Sequence, residues 1–127
     1  MENSNKLSLK KLFRSLGFAF TGMYELIKSE QNARIHLIIS ICVVIAGFLF
    51  GISASEWCIV ALCIGLVFAA EAFNTVIEKL IDHLFPLKHE TARLTKDIAA
   101  GAVLFSALMA VVCGVIIFLP KVLDWIL

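Results

Sequence analysis

Apolar positions recur along this chain with two different spacings, and the spacings predict helices of two kinds. Leu9, Leu12, Phe13, Leu16, Phe20, Met23, Tyr24 and Ile27 stand three or four apart, while Lys10, Lys11 and Arg14 face elsewhere. That period puts one apolar face on a helix, and a basic helix of this kind lies in a membrane interface. It is assigned to about residues 6–28. Gly17 and Gly22 lower its helical propensity, marking kinks or places where a ligand approaches the backbone.

The later stretches are apolar all round. Ile35 to Ile52 is interrupted only by His36 and Ser40, which meets the lower limit for a spanning helix. After the small polar turn "GISASE", Trp57 opens a run that stays apolar to Ala70 and continues as an amphipathic helix to Phe85, where Pro86 stops it. The polar segment "LKHETARLTKD" precedes a third run, Ile98 to Leu119, which Pro120 is expected to end. The pattern thus predicts an all-α integral membrane chain with spans at about 35–52, 57–85 and 98–119.

Charge orients these spans. Lys6, Lys10, Lys11, Arg14, Lys28 and Arg34 precede the first, and Lys79, Lys88, Arg93 and Lys96 fall between the second and third. The turn between the first and second has no Lys or Arg, and the C-terminal tail has only Lys121. The positive-inside rule therefore puts the N-terminus and the second connection in the cytoplasm, with Trp57 and Trp125 at the outer interface that indoles favour.

Composition agrees with the membrane class. The 127 residues are 61% hydrophobic with a formal net charge of +1, and mean hydropathy is +0.96. A soluble domain is nearer 45–50% apolar. Nucleic acid is excluded as a partner, because tracking phosphates needs a clear basic excess. Cys42, Cys58, Cys63 and Cys113 lie in apolar runs without a C-x-x-C pair, so they read as small packing residues rather than a disulfide framework. The first 34 residues lack the early apolar segment of a cleavable signal peptide.

Within the second span, "LVFAAEAFNTVIEKLIDHLF" carries Glu71, Asn74, Glu78 and Asp82. At 100° per residue they fall at about 0°, 300°, 340° and 20°, one stripe about 80° wide. At 1.5 Å per residue, Glu71 lies roughly 21 Å below Trp57 and Glu78 roughly 32 Å below it. Glu71 is then inside the hydrocarbon, Glu78 at its boundary and Asp82 among headgroups. An ionisable group at membrane depth is a functional candidate by default; the bland alternative is a neutral Glu71 that helps helices associate.

Other polar groups meet that depth. Glu30 and Arg34 flank the start of the first span, and Lys96 and Asp97 precede the third. Carboxylates, an amide and cations together suit Mg²⁺, which takes oxygen ligands alongside substrate phosphates. They suit phosphoryl transfer for the same reason. Neither a P-loop nor the protein-kinase motif set is present, so phosphate would be held by metal and basic side chains. His36 and His83 read as structural or interfacial, since a lone histidine beside an apolar run is commonly satisfied locally.

"EAFNTVIEKLIDHL" followed by "KDIAAGAVLFSA" resembles the signature of the prokaryotic diacylglycerol kinase family, small integral-membrane lipid kinases. "EQNARIHL" and "AAGAVL" are similar to its Gram-positive branch, which phosphorylates undecaprenol. The likeness runs from about Lys11 to Leu119. It implies one lipid-kinase domain over residues 1–127, in a bacterial cell membrane, with a surface helix, three spans and a homotrimer sharing active sites. It implies Glu71 as catalytic base, Glu30 and Glu78 as carboxylates holding Mg²⁺ with ATP, and Asn74 as an active-site amide beside nucleotide and lipid. Lys96, Asp97 and Asp82 then belong to the nucleotide site, and Lys11, Arg14 and Gly22 fall where the surface helix reaches it.

The likeness has departures. Family members often read "EYHPLAKKAKD" where this chain has "LKHETARLTKD", so His89 survives behind Leu87 and Lys88. Ile-Ala-Ala after Asp97 lacks the serine of the Gram-negative diacylglycerol kinases. Undecaprenol is thus favoured over diacylglycerol as the lipid. Two other classes stay open on the residues alone. A small proton-coupled transporter would use Glu71 but leave Glu30, Glu78, Asp82, Lys96 and Asp97 idle at one face. An oligomerising structural protein would use Gly101, Ala102, Ser106 and Ala107 at helix contacts and leave the acidic stripe unexplained.

Overall fold

The computed structural model describes residues 6–87 and 89–127, and every described element is an α-helix. They are α1 (Leu9–Ser29), α2 (Gln31–Phe50), α3 (Ala54–Leu84) and α4 (Glu90–Ile126). The last three are long and apolar enough to cross a membrane. Lys88, part of the altered connection, lies outside the described residues.

Local chemistry sets each boundary. The Ser8 hydroxyl accepts from the Lys11 amide at 3.4 Å, so α1 starts at Leu9, and it runs unbroken through Gly17 and Gly22. Between α1 and α2 stands one residue, Glu30, with extended φ −109° and ψ 120°. Arg34 secures this corner: its Nη1 donates to the carbonyls of Ile27 at 3.2 Å and Lys28 at 2.8 Å. Those are carbonyls that the last turn of a helix leaves unpaired.

The α2–α3 turn is built by Gly51, at φ 60° in the left-handed region that glycine enters without strain. Ser53 then opens α3 with a capping box, its amide donating to Glu56 Oε1 at 3.0 Å and its hydroxyl accepting from the Glu56 amide at 3.2 Å. Trp57 folds back over α2. Its ring lies 4.9 Å from Phe48, centroid to centroid, and occupies the place a Cβ on Gly47 would take, 2.6 Å away.

α4 departs from the expected span at both ends. It begins at Glu90 rather than near Ile98, because the His89 side chain caps it by accepting from the Ala92 amide. Arg93 then bridges Glu90 at 2.6 Å and Asp97 at 3.0 Å along its first turns. At the other end Pro120 does not terminate the helix, which runs on to Ile126. Proline removes one N–H and crowds the carbonyl four residues back, yet membrane helices tolerate this locally. The turn beyond it is tied down by Lys121, whose Nζ lies 3.2 Å from Glu56 Oε2 at the start of α3.

α3 packs most extensively against α4, less against α2, and both α2 and α3 touch α1. A small apolar core of Ile52, Val60 and Ile117 sits near the Trp57 end, with Val43, Phe50 and Phe118 against it. Large apolar side chains elsewhere on the spans are exposed. A soluble domain buries its leucines; here the largest fully buried side chain is Glu71, at 1% exposure.

Candidate active site

α3 holds Glu71, Asn74, Thr75 and Glu78 on two successive turns, and the first three are buried. Asn74 Nδ2 donates to Glu78 Oε1 at 3.4 Å. Glu71 Oε2, Asn74 Oδ1 and Thr75 Oγ1 have no hydrogen-bond partner among the described residues. A buried polar atom without a partner costs about 1–3 kcal/mol, so three close together on one helix call for partners beyond the described residues.

Two neighbours come from α2 and the corner before it. His36 Nε2 stands 3.8 Å from Glu71 Oε2. Glu78 follows Glu71 by two turns on α3, and Glu30 stands at the head of α2, the helix that carries His36. The Glu30 side chain makes no capping hydrogen bond to α2. No three His, Cys, Asp or Glu groups among the described residues form a metal cage by themselves.

One or more turns nearer Pro86, Lys96 Nζ reaches across from α4 to Asp82 Oδ1 at 2.7 Å. That hydrogen bond, with Asp82, Glu78 and Asp97 nearby, pushes the Lys96 ammonium above its ordinary range. Asp97 is held by Arg93. Asp82, Phe85, His89, Arg93, Lys96 and Asp97 line an open cleft of about 400 Å³. On the other side of Glu71, an apolar crevice of about 270 Å³ runs between α2, α3 and α4, lined by His36, Val43, Cys63, Val67, Ala110 and Ile117 among others.

The sequence-derived candidates therefore divide. Glu71, Asn74 and Glu78 share one face of α3, with Glu71 and Asn74 buried, Glu30 stands at the α1–α2 corner, and Asp82, Lys96 and Asp97 line the cleft nearer Pro86. Lys11, Arg14 and Gly22 are not brought to this group. They sit on the part of α1 that is exposed, Leu26 being the buried residue of that helix, and nothing lies within 4 Å of a Cβ placed on Gly22. Two further residues lie beside Glu71: Thr75, which the sequence reading did not single out, and His36, which it read as structural or interfacial. Thr75 follows Glu71 by four residues, about 40° round the helix, and so lies just beside the edge of the stripe. His36 was visible as a polar residue in an apolar run, though its pairing with Glu71 across two helices was not.

A buried carboxylate beside an amide oxygen, two further carboxylates and a lysine can take a proton, hold a hard cation and neutralise phosphate. Comparison with known proteins points the same way. Residues 17–118 match the model of the family described as prokaryotic diacylglycerol kinase. The chain is 39% identical over 113 residues to an undecaprenol kinase of Bacillus subtilis, covering 89% of this chain and 92% of that one. It is 34% identical over 114 residues to a diacylglycerol kinase of Synechocystis, covering 89% of this chain and 65% of that protein's length. This multi-pass membrane chain belongs to the prokaryotic diacylglycerol kinase family and is a lipid kinase.

Proposed function

We propose that the chain uses ATP and Mg²⁺ to phosphorylate undecaprenol to undecaprenyl phosphate at the cytoplasmic face of a bacterial cell membrane. The observation that carries the reading is Glu71, a fully buried carboxylate with an unpartnered oxygen in a membrane helix of a lipid kinase. The lipid hydroxyl gives its proton to Glu71 as its oxygen bonds to the γ-phosphorus. The bond from that phosphorus to the β–γ bridging oxygen breaks, and ADP leaves with the electron pair. Positioning and charge stabilisation carry most such reactions, with base assistance about 10²–10⁴-fold.

The donor set fits Mg²⁺. Glu30 and Glu78 are hard oxygen ligands, Asn74 Oδ1 is unpartnered, and one or two carboxylates plus substrate phosphates are what the ion ordinarily takes. Bound there, it would neutralise phosphate charge. Lys96, paired with Asp82, steadies the phosphates, and Asp97 beside it contacts the nucleotide. Asn74 stands between nucleotide and lipid. Lys11, Arg14 and Gly22 join the nucleotide site when α1 closes over it or when another copy supplies them. α1 rests its apolar face in the cytoplasmic interface. Membership of the family is the ground for assembly as a homotrimer, in which residues 1–127 form one lipid-kinase domain per copy.

Near full-length similarity to a protein named for undecaprenol supports that lipid. Diacylglycerol is the second reading, supported by the Synechocystis relative. Labelled ATP offered with each lipid separately in mixed micelles, with and without a Mg²⁺ chelator, tests the assignment. Mg²⁺-dependent labelling of undecaprenol in preference to diacylglycerol is expected. Preference for diacylglycerol selects the second reading, and no labelling of either by folded protein contradicts both.

A further inference from the structure

The base proposed for the transfer has one ionisable neighbour within ion-pair distance among the described residues, and it comes from a different helix. His36 Nε2 on α2 faces Oε2 of Glu71 at 3.8 Å, and Oε2 is a fully buried oxygen without a hydrogen-bond partner among the described residues. That separation is too long for a hydrogen bond, yet catalytic hydrogen bonds are often long before substrates bind and tighten afterwards. We propose that His36 is a positioning residue for phosphoryl transfer: its Nε2–H closes on Oε2 and turns the other Glu71 oxygen toward the lipid hydroxyl. The proposal rests on the lipid-kinase reading of the Glu71 site.

Three features support it. A base must present one oxygen to the proton it takes, and a carboxylate with both oxygens free rotates between two orientations. Anchoring Oε2 removes that freedom, leaving Oε1 to accept the proton. His36 is itself well placed as an anchor. Arg34 clasps the start of α2 to the end of α1 through two carbonyls, and Ser40 Oγ donates to the His36 carbonyl at 2.7 Å one turn on. Third, the imidazole also lines the apolar crevice between α2, α3 and α4. It thus stands where hydrocarbon space meets the acidic group, the place at which the hydroxyl of a membrane alcohol must arrive.

The test separates a hydrogen-bond donor from a packed ring. His36→Gln keeps an N–H donor and loses the ring; His36→Phe keeps a ring and loses the donor. Purified wild type and both variants are assayed in mixed micelles, with kcat and KM measured separately for ATP and for the lipid alcohol. Loss of one hydrogen bond to a charged group corresponds to about 10- to 100-fold. His36→Phe should lower kcat by that factor with both KM values nearly unchanged, while His36→Gln stays within a few-fold of wild type. In a Glu71→Gln background, adding His36→Phe should cost nothing further, because coupled residues are not additive. His36→Leu, checked for a monodisperse helical state in detergent, replaces His36→Phe if that protein folds poorly.

Full activity in His36→Phe, equal losses in both variants, or a further loss on top of Glu71→Gln each overturns the proposal. If wild type phosphorylates no lipid, the kinase reading itself fails and His36 has no reaction to serve.

Discussion

Glu71 and Lys96 show how differently two charged residues of one site are treated by their surroundings. Glu71 has almost no exposure and an oxygen with nothing to bond, which makes its carboxylate expensive to keep. Lys96 and Asp82 form a short ion pair whose side chains are 35% and 66% exposed. Solvent screens an exposed pair of this kind, so it adds little to folding and its purpose is better sought in ligand charge. Lys96→Met is expected to raise KM for ATP severalfold and leave the unfolding temperature in detergent nearly unchanged; steady-state kinetics beside a thermal melt checks both. The pH dependence has a definite sign. The folded pKa of Lys96 lies above its ordinary value of 10.5 because of the Asp82 hydrogen bond. Its ion-pair contribution is therefore complete below the unfolded pKa and lost only as pH rises through the folded one. Between about pH 6 and 9 the ammonium stays charged, so wild type and Lys96→Met should show pH–rate profiles of the same shape there. A wild-type fall in that range absent from Lys96→Met would contradict this.

Elements matter because they bring separate polar ends to one place. At about 1.5 Å per residue, α3 and α4 are roughly 46 and 55 Å long, beyond the ~30 Å hydrocarbon layer. The excess carries charge, with Glu78 and Asp82 near the Pro86 end of α3 and Arg93, Lys96 and Asp97 at the start of α4. At the opposite end the α2–α3 turn fixes how α2 lies on α3, and therefore where His36 meets Glu71. Its tightest contact is Trp57 over Gly47, where a Cβ would stand 2.6 and 2.9 Å from ring carbons. Gly47→Leu should push the indole away, at a cost of about 1–3 kcal/mol for overpacking. A lower unfolding temperature and changed Trp57 emission are expected. A melt and spectrum like those of the wild type would show that the contact does not hold the turn.

At the scale of the whole molecule, the three spans and the acidic stripe were legible because membrane helices announce themselves by length and Glu71 interrupts one of them. The stripe survives in the structure because a single helix carries all its members, and one period relates them. Contacts between helices were not legible. His36 and Glu71 are far apart in sequence, and no spacing rule joins α2 to α3. Helix ends also misled where competing signals met: Pro120 looked like a stop, but Lys121 binds Glu56 beyond it and the helix continues. The polar stretch before Ile98 looked like a connection, but a His89 cap and the Arg93 bridges make it helix.

The central claim is that Glu71 is the base that prepares a membrane alcohol for phosphoryl transfer. Its most direct test is kcat of Glu71→Gln against wild type, with undecaprenol in mixed micelles at saturating Mg²⁺ and ATP, and nucleotide affinity measured separately. The side chains are nearly the same size, and Gln removes a buried charge, so the variant should fold at least as stably. The account predicts a fall in kcat of about 10²–10⁴-fold with ATP binding retained. Turnover within a few-fold of wild type would contradict it.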